Sequence, residues 1–415
     1  MDKNSKIFVA GGTGLVGSAI IKNLLEKGYE NIVTNYHNRP LDTTRSALKA
    51  VKLDLMDPIA VADFFSREKP EYVFLAAAKV GGIVANNTYR ADFIYQNLQI
   101  QNNVIHQSYK SGVKKLMFLG STCIYPKNCP QPMKEEYLLT GELEYTNEPY
   151  AIAKIAGIKM CESYNLQYGT DYISVMPTNL YGPNDNFDLE KSHVLPALIR
   201  KIHLGKALEN DDWDTIRKDL NRLPIEGITG EASEKEILNI LEKYGIKLEH
   251  VARSAQHIEN NKEESTHSTL RATRSSKPSV SIEIWGSGKP MREFLWSEDM
   301  ADACVFLMEN IDFKDIVQKT LHATDYALHT GTSNEVRNTH INIGTGKDIS
   351  IKELAYIIKD IVGFNGDFYF NTEKPDGTMK KLTDPSKLHA LGWRHKVELE
   401  DGIIKIYNWY KENIK

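Results

Sequence analysis

The stretch Lys6-Ile7-Phe8-Val9-Ala10-Gly11-Gly12-Thr13-Gly14-Leu15-Val16-Gly17 decides the reading of this chain. A short apolar run ends in glycines at 11, 14 and 17, and a helical pattern from Leu15 to Lys27 follows, stopping at Gly28. Near-continuous apolarity over so few residues marks a strand buried on both faces of a sheet. The glycine spacing serves three needs. Gly11 permits a tight turn, Gly14 lets backbone N–H groups approach a pyrophosphate, and Gly17 allows close helix packing. The N-terminus of the helix then favours negative charge, so Gly11, Gly12, Thr13, Gly14, Leu15, Val16 and Gly17 are the candidate dinucleotide loop.

Outward from that loop, strands and helices alternate through residue 185. Asn31 to Asn35, Ala50 to Leu55, Glu71 to Ala76, Lys115 to Gly120 and Asp171 to Pro177 read as strands. Pro58 to Glu68, behind Asp57 as N-cap, and Thr88 to Ser111, stopping at Gly112, read as helices. Strands separated by helices need right-handed crossovers, which build a parallel sheet covered on both sides. The expectation is an α/β chain: a Rossmann-type doubly wound parallel sheet over 1–185, to which later segments return, and a smaller α/β substrate domain over 186–415. An insert at 206–279 interrupts the second domain. Asp211 to Leu223 and the capping box Ser233 to Glu236 predict a helical hairpin over 211–245, and the polar run 252–279 predicts a flexible linker. The insert is expected to be a peripheral appendage. Further on, Val280 to Trp285 and His340 to Asn342 read as strands, and Ser297 to Asn310, Ile351 to Val362 and a segment from about Asp401 read as helices.

Composition narrows the function class. The chain has 415 residues, 41% hydrophobic and 26% charged, with 51 basic and 55 acidic side chains and a net charge of −4. That composition is globular and excludes disorder throughout. No basic tract stands against an aromatic face, so a nucleic-acid partner is not expected. Four cysteines without paired Cys-x-x-Cys spacing suggest neither a disulfide framework nor a metal site. No charged start leads into an apolar segment, and nowhere do about 18 apolar residues run together. The expectation is a cytoplasmic protein with no membrane contact.

Two sets of residues carry chemistry. Tyr150 and Lys154 are four apart, on one face of a helix beginning near Pro149. The ammonium is expected to stabilise phenolate and lower the phenol's pKa, with Ser121, just past a strand, binding the same carbonyl oxygen; the arrangement fits ketone reduction. After the second strand, where an NAD site usually carries an acid, Asn35-Tyr36-His37-Asn38-Arg39 offers a cation. Arg39 suits a ribose 2′-phosphate, which points to NADP(H).

Longer runs narrow the class. Leu75 to Asn97, Cys123 to Lys127, Asn147 to Asn165, Ser174 to Phe187 and Arg292 to Ala301 resemble the GDP-L-fucose synthase family, the GDP-4-keto-6-deoxy-D-mannose 3,5-epimerase/4-reductases among the extended short-chain dehydrogenase/reductases. The resemblance spans the chain except 206–279 and a loop near 325–338. It implies that Cys123 and His193 exchange protons during epimerisation, an assignment that spacing alone would not make. It also implies that Leu119, Gly120, Ser121, Thr122, Lys154, Pro177, Thr178, Asn179, Leu180 and His193 surround the nicotinamide half of NADP(H). Lys201, Trp285, Arg292 and Asp376 would contact a GDP-sugar substrate, although Asp376 equally suits a turn. The resemblance further implies a homodimer. The alternatives are action on another GDP-4-keto sugar, such as a 6-deoxy-heptose, and a catalytically silent NADP-binding regulator.

Overall fold

A computed structural model describes residues 1–37, 46–249, 279–318 and 335–413. In chain order the elements are β1 (Ile7–Ala10), α1 (Leu15–Glu26), β2 (Ile32–Tyr36), β3 (Leu48–Lys52), α2 (Pro58–Glu68), β4 (Tyr72–Leu75), α3 (Ile83–Thr88), α4 (Arg90–Lys110), β5 (Lys115–Leu119), α5 (Glu148–Tyr168), β6 (Tyr172–Pro177) and β7 (Asn179–Tyr181). Then follow α6 (Val194–Glu209), α7 (Trp213–Arg222), α8 (Glu234–Lys243), β8 (Ile246–Glu249), β9 (Ser279–Trp285), β10 (Met291–Trp296), α9 (Ser297–Asn310), β11 (Ile341–Ile343) and β12 (Asp348–Ser350). The chain closes with α10 (Ile351–Val362), β13 (Asp367–Asn371), β14 (Lys380–Lys381), α11 (Ser386–Ala390) and α12 (Leu399–Asn413).

The chain divides into two units. The first comprises Met1–Asn186, Met291–Ile349 and Thr378–Ile406, and the second Phe187–Pro290, Ser350–Gly377 and Tyr407–Lys415. In the first, among the described residues, seven strands form one parallel sheet in the order β11-β6-β5-β4-β1-β2-β3. This is the expected Rossmann-type sheet. Its two faces are read directly from the period of two in β1. Ile7 and Val9 join a core with Ile20 and Leu24 of α1 and Met300, Cys304 and Leu307 of α9. Phe8 and Ala10 join the opposite core with Phe64 and Phe65 of α2, Val104 of α4 and Ile158 of α5.

Local differences have local causes. The helix expected over 88–111 is α4, and a short helix the sequence did not announce, α3, precedes it, separated by Tyr89 at φ −105° and ψ 42°. Strands β7 and β10 escaped the sequence reading. They are short and pair with each other in parallel, Asn179 opposite Phe294 and Tyr181 opposite Trp296, so each is defined by a partner more than a hundred residues away.

The second unit holds a three-stranded sheet in the order β13-β9-β8. Here the expectation of a peripheral insert fails. Helices α7 and α8 form within the expected hairpin, but β8 then pairs antiparallel with β9, and Ile216, Leu220, Ile237, Leu241 and Ile246 are all buried. Gly245, at φ +81°, makes the turn from α8 into β8 that a side chain would strain. Residues 252–278 of the expected linker lie outside the described residues, and Ser279 opens β9.

A buried ion pair fastens α7 to α6. The Arg200 guanidinium donates to Asp219 at 2.9 and 2.7 Å, and also to the carbonyls of Phe187 and Leu223, while the Tyr410 hydroxyl donates to the other carboxylate oxygen. Arg200 is 1% and Asp219 0% exposed. Removing one member leaves an uncompensated charge in the interior. Asp219→Ala is therefore expected to cost about 3–5 kcal/mol, read from urea unfolding; a loss below about 1 kcal/mol would place the pair in a wetter setting.

Candidate active site

The glycine loop is shaped for a phosphate. A Cβ on Gly11 would lie 2.8 Å from Ala77 Cα, and one on Gly17 only 2.1 Å from the Gly11 carbonyl oxygen. A Cβ on Gly14 would meet nothing closer than 3.5 Å, so this side of the loop is open. Gly11 and Gly12 spend their N–H groups on the fold, donating to Asn35 Oδ1 at 2.8 Å and Thr34 Oγ1 at 3.2 Å. Gly14 is the N-cap of α1 and supplies no side-chain bond, which leaves the first-turn donors to a ligand. Thr13, Leu15 and Val16 complete this end. Arg39 lies outside the described residues.

The second cluster forms where β5 ends. Leu119 closes the strand, Gly120 and Ser121 follow, and Thr122–Ile124 make one turn of 3₁₀ helix. Ser121 Oγ accepts the Cys123 N–H at 3.4 Å. Helix α5 carries Tyr150 in its first turn and Lys154 one turn later. It lies close to β5 because Gly157 has no side chain: a Cβ there would be 2.3 Å from Phe118 Cζ. Lys154 Nζ donates to the Leu119 carbonyl at 2.8 Å and sits 5.8 Å from the centre of the Tyr150 ring. The rings of Phe93 and Tyr150 meet in a T-shaped pair, 6.2 Å between centroids. The structure thus brings Ser121, Cys123, Tyr150 and Lys154 together.

Electrostatics correct one expectation. The Tyr150 phenol is raised, not lowered: burial dominates, charge on Cys123 adds to it, and the Ser121 hydrogen bond opposes. Burial also brings Lys154 down to about 8, with Cys123 opposing. Lys154 directs its proton to a backbone carbonyl rather than to the phenol, so desolvation outweighs the pairing inferred from the four-residue spacing. Burial pushes the Cys123 thiol up as well, opposed first by Ser121, then by Lys381 and Lys154.

Further side chains of this unit line up behind β6. Thr178 N–H donates to the Ile343 carbonyl at 3.0 Å, Asn179 Nδ2 to the Glu293 carbonyl at 2.9 Å, and Leu180 pairs with Leu295. Pro177 ends β6 opposite Ile343. Arg292 donates to the carbonyls of Met291 and Thr378 at 2.7 and 2.6 Å. Sequence reading missed Glu293 and Lys381. Glu293 is 0% exposed, yet its carboxylate accepts from the N–H groups of Thr345, Gly346 and Thr383 at 2.6, 2.7 and 2.9 Å and from Thr383 Oγ1 at 2.6 Å. A carboxylate inside the apolar strand Phe294-Leu295-Trp296 extends was the available signal. Lys381 carried none, since only the strand register sets it opposite Arg292.

In the second unit, Lys201, Trp285 and Asp376 gather at the end of β9. Lys201 Nζ donates to the Glu283 carbonyl at 3.3 Å, and burial brings it down to about 8. Trp285 is 60% exposed, with Lys374 Nζ 5.2 Å from its ring centre. Asp376 accepts from Ser287 N and Oγ at 2.8 and 2.7 Å, bonds that hold its carboxyl below the usual range. The turn role is real: a Cβ on Gly286 would lie 2.3 Å from Asp376 Oδ1. His193 is the N-cap of α6, with no side-chain capping bond.

A family model described as the NAD dependent epimerase/dehydratase family matches residues 7–218 and 242–319. The chain belongs to this family. Among curated relatives, the putative GDP-L-fucose synthase 2 of Arabidopsis thaliana is 45% identical over 414 residues, spanning 100% of this chain and 94% of the relative. Among solved structures, a GDP-6-OMe-4-keto-L-xylo-heptose reductase from C. jejuni is 45% identical with a TM-score of 0.79, covering 100% of this chain and 99% of that one. The GDP-mannoheptose C4 reductase MlghC from Campylobacter jejuni, solved with NADP bound, is 45% identical with a TM-score of 0.74 and covers 99% of both chains. Because a methyl at 17 cannot coexist with the Gly11 carbonyl, Gly17→Ala is expected to weaken NADPH binding at least about tenfold in a fluorescence titration. Unchanged affinity would mean that the dinucleotide lies elsewhere.

Proposed function

We propose that this enzyme converts GDP-4-keto-6-deoxy-D-mannose to GDP-L-fucose, inverting C3 and C5 and then reducing C4 with NADPH. The observation that carries the reading is the cluster at the end of β5, where a thiol stands beside the Ser121, Tyr150 and Lys154 set. Reduction alone needs an acid and an oxyanion site. A thiol at the same place adds a group able to exchange carbon-bound protons.

The chemistry follows from the ketone. A carbonyl at C4 acidifies the hydrogens on C3 and C5, and one oxyanion site serves both inversions and the later alkoxide. Ser121 and Tyr150 stabilise that oxygen. Cys123 and His193 are the proton-exchanging pair. The phenol of Tyr150, kept protonated by burial, then delivers its proton to the C4 oxygen. NADPH, when bound, supplies the hydride for C4. Gly11 through Gly17 hold its pyrophosphate, Arg39 its 2′-phosphate, and Leu119 to Thr122, Lys154, Pro177 to Leu180 and His193 its nicotinamide half. Lys201 and Arg292 neutralise the GDP pyrophosphate, Trp285 offers a stacking face, and Asp376 shapes the turn that accompanies it.

A homodimer formed through α4 and α5 is part of the proposal. Tyr95, Ile152, Leu166 and Tyr168 are exposed on these helices, and Tyr109 stacks on Tyr168 at 4.3 Å. Cytoplasmic work is supported by the four free thiols. Among the described residues no helix is long and apolar enough to cross a membrane. A second reading, reduction of a GDP-4-keto-heptose, is favoured by the likeness to the two Campylobacter reductases.

Incubation with GDP-4-keto-6-deoxy-mannose and NADPH, followed by NMR of the sugar, is expected to show the L-fuco product. A product reduced at C4 but not inverted at C3 and C5 would favour the heptose reading. Tyr150→Phe is expected to lose at least about a hundredfold in turnover while still binding NADPH; wild-type turnover would remove Tyr150 from the chemistry. Cys123→Ser is expected to slow solvent-deuterium uptake at C3 and C5, and undiminished exchange would exclude the thiol.

A further inference from the structure

We propose that Phe93 is a positioning residue for the Tyr150 phenol, its ring setting the direction of that side chain from a stripe of α4 that holds the start of α5. This deepens the reading above and rests on it for the role of Tyr150. The stripe is Arg90, Phe93, Asn97 and Gln101, spaced by three or four residues and so on one face of the helix. Phe93, Asn97 and Gln101 are each 2% exposed, while the intervening Ala91, Asp92 and Tyr95 are exposed.

The stripe meets α5 at three levels. Arg90 donates to the Tyr145 carbonyl at 2.7 Å, pairs with Glu148 at 3.5 Å and lies 4.3 Å from the centre of the Tyr145 ring, which fixes the backbone entering the helix. Asn147, the N-cap, supplies no side-chain bond there. Further along, Gln101 donates to the Ala153 carbonyl at 2.7 Å. Between these two tethers the rings of Phe93 and Tyr150 make their T-shaped pair, at a separation where aromatic rings attract. A side chain in a first helical turn leans toward the segment ahead of the helix instead of over a preceding turn. Its direction therefore depends on what packs against it.

Phe93 is itself held from several directions. A Cβ on Gly81 would lie 3.1 Å from Phe93 Cζ, so that glycine leaves the ring its room. The Lys79 ammonium, paired with Asp92 at 3.1 Å, lies 5.8 Å from the ring centre. Asn97 accepts the Lys79 N–H at 2.9 Å and donates to the carbonyls of Lys79 and Phe93 at 3.0 and 2.7 Å, binding the loop after β4 to the turn that carries the ring. The same loop is joined to β1, since the Ala76 N–H donates to the Ala10 carbonyl at 3.0 Å. One stripe thus ties the phenol to the frame that carries the glycine loop. In the step this serves, the Tyr150 O–H bond breaks as its proton passes to the C4 oxygen, the hydride that NADPH supplies forms the C4–H bond, and the phenolate left behind is reprotonated from solvent. A phenol free to swing spends less time within reach of that oxygen, so losing Phe93 slows reduction and spares binding.

The test is a double-mutant cycle on the full chain, read from single-turnover NADPH oxidation with GDP-4-keto-6-deoxy-mannose, or with the GDP-4-keto-heptose if that is the sugar the wild type reduces. Phe93→Leu is expected to slow reduction about tenfold, with NADPH affinity and KM for the sugar kept within about twofold. In a Tyr150→Phe background the same change is expected to cost less than about twofold, because a role exercised through the phenol disappears with it. An equal loss in both backgrounds overturns the proposal and makes Phe93 a structural residue of α4. Unchanged reduction overturns it too, as does a loss confined to NADPH affinity, which would assign the ring to the loop after β4. If Phe93→Leu lacks a cooperative melt, Gly81→Ala, which crowds the ring without removing it, is read by the same cycle. Wild-type turnover in Tyr150→Phe alone would strike the role of Tyr150 itself, so the two failures are told apart.

Discussion

The Lys154 ammonium, enclosed and donating to the carbonyl of Leu119, joins the start of α5 to the end of β5. Everything at the first cluster depends on this bond. Leu119 precedes the turn that carries Ser121 and Cys123, and Lys154 is one turn from Tyr150, so one hydrogen bond sets the thiol, hydroxyl and phenol in common register. The approach is close because Gly157 presents no side chain to Phe118. An ammonium held this way costs desolvation, which is why it titrates near 8 rather than in the usual lysine range.

Behind that cluster a second buried charge organises the strands. Glu293 sits at zero exposure in β10, and its carboxylate gathers the loop after β11 and the segment after β14, while its carbonyl receives Asn179. A carboxylate with this many N–H and O–H donors is satisfied, and the donors themselves are otherwise orphaned loop groups. The result is that Arg292, Lys381, Thr178 and Asn179, drawn from three parts of the chain, share one scaffold. In the second unit, the Arg200–Asp219 pair plays the corresponding part for α6 and α7, and the inserted β8 extends the sheet that ends at Trp285.

The sequence by itself determined the sheet and the loop. Apolar residues alternating between two faces, glycines at 11, 14 and 17, and a four-residue step from Tyr150 to Lys154 are local patterns, and local patterns report strands, turns and helix faces directly. Resemblance added Cys123 and His193, which no spacing would have paired. Tertiary structure alone decided the rest. It placed β7 against β10 and Lys381 against Arg292, made the insert part of a core, and reversed the expected shift of Tyr150. These depend on partners distant in the chain and on how much water burial removes, and neither quantity is written in the neighbourhood of any one residue.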